Sequence, residues 1–127
     1  MAKTKALAKT EKKILITGGT LGLSPWIEWA SLSAGKAALR SLSRSLFTEL
    51  RPFDVHAALI TIHDTITPGT PYDPDRIAEF FLGVADAPPS TWVAEYHFNP
   101  TGVQADDRDL IGAPAQSTSK VVDVFHN

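Results

Sequence analysis

Lys36 is the residue of this chain with the clearest chemical promise, because of what surrounds it. It stands in the run Ser31-Leu32-Ser33-Ala34-Gly35-Lys36-Ala37-Ala38-Leu39, downstream of an apolar segment, Ile14-Leu15-Ile16, that stops at Thr17-Gly18-Gly19. An ammonium held there could bind hydroxyls of a ligand or lower the pKa of a neighbouring acid. The opposing reading is a lysine whose stem lies along a helix while its charge reaches water. His63-Asp64 could be an acid–base pair or half a metal site. Two ligand types in one loop fall short of the three or four a metal needs, so a loop turn is preferred and no metal is expected. Thr20, Ser31 and Ser33 have no histidine at a nucleophile–base spacing, so a serine hydrolase is unsupported. His56 and His97 read as strand residues satisfied locally.

The elements that must position Lys36 follow from hydrophobic period. Lys13 to Thr17 is apolar at every central position, which suits a short parallel strand covered on both faces and ended by the tight turn of Gly18-Gly19. From Ala30 to Leu50, Leu32, Leu39, Leu42, Leu46 and Leu50 recur with Phe47 at helical steps. Arg40, Ser41, Arg44, Ser45 and Glu49 fall largely off that stripe. Ala30, Ala34, Ala37 and Ala38 form a second, flat face open to another helix. Pro52 and Asp54 close the helix. Val55 to Ile62 is a second, nearly continuous apolar strand, parallel to the first because a helix joins them. Asp73-Pro74-Asp75 predicts a helix start, running to about Val84 and burying Ile77, Phe80 and Phe81. Trp92 to Phe98 alternates and reads as a third, edge strand.

Bulk properties narrow the function classes. The chain has 127 residues, is 43% hydrophobic and carries a net charge of −2. That is one domain or part of one, without the field that recruits nucleic acid or acidic membranes. No cysteine is present, which excludes disulfides and thiolate metal sites and fits a cytoplasmic setting. No run approaches the roughly 18 apolar residues of a membrane span. Residues 1–12 read as a solvated lysine-rich arm, 13–99 as the packed domain, and 100–127 as a loose tail. Trp26, Trp29 and Trp92 are expected to plug the core or an interface.

Strand, glycine turn and the run Ser31 to Leu39 resemble the C-terminal half of a short-chain dehydrogenase/reductase, over roughly residues 13–98. The resemblance implies a partial Rossmann-like α/β fold: a three-stranded, mostly parallel sheet with a long crossover helix and a short second helix. It also implies NAD(P) as cofactor and an oxidoreductase ancestry. The family's lysine lands on Lys36, as cofactor ligand and catalytic partner. Its tyrosine, four residues earlier, lands on Leu32, which has no proton to exchange. Its serine lands near Gly19, leaving Thr20 as the adjacent hydroxyl. Gly18, Gly19, His63 and Ile66 fall at cofactor-facing positions, with His63-Asp64 replacing the family's Pro-Gly. In a second alignment, Thr17-Gly18-x-x-x-Gly22-Leu23 resembles the family's phosphate loop, with Ser24 in place of its last glycine. That reading requires a helix directly after the loop, whereas Pro25 to Trp29 intervene, so the later-strand alignment is favoured.

Two functions stay open on this reading. One is a dehydrogenase-related protein without turnover as an isolated chain, the dinucleotide half being absent from it. The other is a non-catalytic module that associates through the alanine face and an open sheet edge, as a homodimer; beside these two stands an active enzyme assembled in trans with a chain supplying the dinucleotide half.

Overall fold

A computed structural model describes residues 12–102, so the expected basic arm up to residue 11 and the expected tail beyond residue 102 lie outside the described residues, while Lys12, expected in the arm, opens the first strand. Three strands, β1 (Lys12–Gly19), β2 (Val55–Ile62) and β3 (Glu95–Phe98), form one sheet in the order β1-β2-β3. Both pairings are parallel. Helix α1 (Ala30–Leu50) joins β1 to β2, and α2 (Pro74–Ala85) lies between β2 and β3. This is the α/β, partial Rossmann-like arrangement read from the sequence. The bounds of α1 and β2 coincide with those expected. β3 is shorter, because the chain turns at Pro89–Thr91 and only Glu95 onward pairs with β2.

The two faces of the sheet differ in chemistry. Toward α2, Ala58, Ile60 and Ile62 of β2 join Tyr96 and Phe98 of β3 in a buried core closed by Tyr72, Ile77 and Val84. Phe80, Phe81 and Leu15 pack at its margin. Asp73 caps α2 as expected: one carboxylate oxygen accepts the Asp75 N–H at 2.8 Å and the other the Gly69 N–H at 2.7 Å. His56 lies on this face, stacked on Trp92 with ring centroids 4.6 Å apart. Its Nε2–H donates to the Val93 carbonyl at 3.1 Å.

Toward α1 the face is partly polar, and here the helix departs from its expected orientation. Leu32 and Leu42 are 45% and 53% exposed, whereas Ser33 and Ser43 are buried. The inward side runs through Ser33, Lys36, Arg40 and Ser43, while Leu39, Leu46, Phe47 and Leu50 of the expected stripe stay half-buried, so the helix is rotated only partway. What turns it inward is a buried partner for Arg40 on β3, described below. The alanine face (Ala30, Ala34, Ala37, Ala38) is exposed.

β1 also differs from its expected two-sided burial. It has no strand on its outer side among the described residues, and Ile14 is 39% exposed. The glycine pair does not form the turn: Gly19 is extended (φ −165°, ψ 162°) and a tight 3-10 turn starts only at Thr20. Close approach explains the glycine at 18, since a Cβ there would lie 2.9 Å from Leu59 Cδ1.

Candidate functional site

Lys36, Gly18, Gly19 and Thr20 are brought together at the C-terminal end of β1. The Lys36 ammonium donates to the Thr17 carbonyl at 3.3 Å, so the side chain spans from helix to strand. A Cβ added at Gly19 would meet Lys36 Cε at 3.9 Å and the Ile62 carbonyl at 4.0 Å. Gly19 therefore stands beside the lysine stem and the end of β2. The turn holding Thr20 packs tightly on α1, for a Cβ at Gly22 would come within 2.9 Å of the Lys36 carbonyl. Trp26 N–H donates to the buried Ser33 hydroxyl at 3.2 Å, fixing the bridge between turn and helix. Leu32, one turn before Lys36, is half exposed and carries no polar group. Trp92 is buried as expected, but Trp26 and Trp29 are 44% and 55% exposed, so neither is plugged into this core.

His63 is brought next to this group by register, being the residue after Ile62, which pairs with Gly19. It is not an exposed loop residue: its ring is buried and its Nε2 lies 2.8 Å from His97 Nδ1. The carboxylate of Asp64, its neighbour in sequence, accepts the Thr65 N–H at 2.7 Å. Ile66 is 49% exposed on the loop beyond. Among the described residues no cluster of three or more His, Cys, Asp or Glu could hold a metal.

Sequence reasoning missed Glu95. Its side chain is 7% exposed and its carboxylate gathers four groups. Thr61 Oγ1 donates at 2.7 Å, Arg40 Nε at 3.0 Å and Arg44 Nη2 at 3.4 Å, while His97 Nε2 stands 3.6 Å away. Burial alone pushes this carboxyl up, but the Thr61 hydroxyl, Arg40, His97 and Arg44 together outweigh it and hold it below its usual range. Burial also lowers His97, the nearby carboxylate opposing and the two guanidiniums reinforcing the effect. The available signal was a glutamate inside an otherwise apolar strand, opposite arginines four residues apart on a helix.

Neither family models nor curated proteins gave a match to this chain. Among solved structures, a short-chain dehydrogenase from Rhodopseudomonas palustris is similar, with 28% identity and a TM-score of 0.58. The match covers 72% of this chain and 40% of that one, so the chain spans well under half the length of its solved neighbour. The parallel three-stranded sheet with its long crossover helix is thus similar to a short-chain dehydrogenase in fold and, at this identity, in ancestry.

Proposed function

We propose that this chain is the lysine-bearing portion of a dehydrogenase-type fold, of NAD(P)-linked oxidoreductase ancestry, with no turnover of its own by the family's tyrosine route. The observation that carries this reading is Lys36, reaching Thr17 beside Gly19 with the apolar Leu32 one turn before it. A ribose bound beside Gly19 would have its hydroxyls within reach of the Lys36 ammonium. No hydroxyl stands at 32 to exchange a proton with a carbonyl or alcohol. A bound nicotinamide would supply hydride transfer; this chain's part is to bind and orient it.

NADPH and NADH titrations, followed by quenching of the half-exposed Trp26 and Trp29, test the reading. Saturable binding, weakened at least tenfold by Lys36→Ala, is the expected result. A folded chain that binds neither dinucleotide overturns the cofactor role.

Surface chemistry favours a second reading, a non-catalytic association module. β1 ends the sheet among the described residues, and Trp26, Ile27, Trp29 and Leu32 are all exposed beside the alanine face. An open parallel edge pairs readily with another strand, from a second copy or from a chain completing the sheet. On this reading Ala38→Glu lowers the mass measured by light scattering. An unchanged mass removes the helix face as the interface.

A further inference from the structure

His63 and His97 stand side by side toward the C-terminal ends of β2 and β3, on the face turned to α1. Their rings are joined through His63 Nε2 and His97 Nδ1 at 2.8 Å, with centroids 5.0 Å apart. A bond between two ring nitrogens carries one proton, so one ring donates and the other accepts. From β3, Glu95 faces the opposite nitrogen of His97 at 3.6 Å. From α1, Arg40 and Arg44 occupy the other side of that carboxylate, and Lys36 is turned away to Thr17. From β2, Thr61 takes the remaining carboxylate oxygen. Asp64 follows His63 in the chain and is engaged with Thr65.

Counting protons on this pair gives a threshold. Two neutral rings keep the bond. One added proton also keeps it, because an imidazolium can still donate to a neutral imidazole. A second proton sets N–H against N–H at a separation where the rings cannot stay. Glu95 eases the charge on His97 from the opposite ring nitrogen, but it does not remove the N–H to N–H contact between the two rings.

We propose that the His63–His97 pair is an acid switch: binding of its second proton parts the two rings and frees the start of the loop 64–72 from β3, while Tyr72 at its far end stays packed on Phe98. The main-chain tie, His63 N–H to the Phe98 carbonyl at 3.1 Å, remains and keeps the sheet itself intact. The loop is mostly exposed and leaves the C-terminal edge of a parallel sheet, the place where ligands of such folds bind. Acid therefore loosens the loop that leaves the C-terminal end of β2 without unfolding the domain. Burial lowers the proton affinity of His97, with Glu95 opposing and Arg40 and Arg44 reinforcing the effect. None of this depends on a dinucleotide being the ligand.

The test is a pH titration of the full, nitrogen-15-labelled chain. Ring-nitrogen resonances of His56, His63, His97 and His126 would be followed from pH 8 downward, beside amide exchange corrected for its intrinsic pH dependence. The expected result is two separate steps for the pair, at least about one pH unit apart. Protection at the start of the loop 64–72 should fall with the second step while β2 stays protected. His97→Asn, which keeps a hydrogen-bonding group, should remove the pH dependence of loop protection. One common midpoint for both rings, or loop protection that ignores the second step, overturns the switch. Loss of protection in β2 at the same pH overturns it too, because that reports unfolding of the whole sheet. The wild-type titration decides the matter alone if the variant does not fold.

Discussion

Replacing Glu95 by alanine should destabilise this domain more than any substitution on its exposed faces, and the size of the loss can be worked from the contacts. Thr61, 1% exposed, loses the charged acceptor at 2.7 Å, a bond of about 1.5–3 kcal/mol. Arg40, with 31% of its side chain exposed, regains water once unpaired. The full cost of breaking a buried pair, about 3–5 kcal/mol, therefore does not apply, and about 1 kcal/mol is the fitting figure. Arg44 is 57% exposed at 3.4 Å and adds only about 0.3 kcal/mol. The expected loss is about 3–4 kcal/mol, a large part of the stability of a small domain. Glu95→Gln keeps an acceptor for Thr61 and should lose about half as much. Urea unfolding at pH 7, followed by far-ultraviolet dichroism, measures both variants. Double-mutant cycles should give Arg40–Glu95 a larger coupling than Arg44–Glu95. The reasoning fails if Glu95→Ala lies within about 0.5 kcal/mol of wild type. It fails equally if Arg44 proves the stronger partner. Because the folded carboxyl titrates below its ordinary 4.5, the stabilisation is complete above that pH and fades as the pH falls through the lower folded value.

Other variants probe the remaining supports. Gly22→Ala puts a methyl 2.9 Å from the Lys36 carbonyl and should cost about 1–3 kcal/mol, read as a lower thermal midpoint; an unchanged midpoint would mean the turn packs more loosely than drawn here. Asp73→Ala removes the cap of α2 and should lower the urea midpoint, whereas Asp73→Asn should recover most of the loss in the same assay. His56 is held neutral, its pKa lowered first by burial and further by Lys13 and Arg51, against the raising effect of the Val93 carbonyl. Its contribution is therefore present above its ordinary 6.5 and lost as pH falls through the lower folded value, and His56→Gln should flatten the stability profile in that window.

The amino-acid sequence determined the elements and their order, because the signals for them are local. Continuous apolar character marked Val55–Ile62, a helical period marked Ala30–Leu50, and Asp73-Pro74 marked the start of α2, each within a few residues of chain. The parallel pairing of β1 and β2 followed from the helix between them. Lys36 could likewise be placed near the glycine pair, since one crossover links them. Which side of α1 meets the sheet was decided only in three dimensions. The leucine stripe and the Ser33-Lys36-Arg40-Ser43 stripe lie side by side at the same three- and four-residue spacing, so the period alone could not fix the rotation that exposes Leu32 and Leu42 while Leu39, Leu46, Phe47 and Leu50 stay half-buried. The choice fell to Glu95, 55 residues beyond Arg40, whose buried carboxylate needs cations that only that face of the helix can offer. His63 and His97 are 34 residues apart and became partners for the same reason: the parallel register of β2 and β3 puts them on one face, where hydropathy along the chain carries no trace of the meeting.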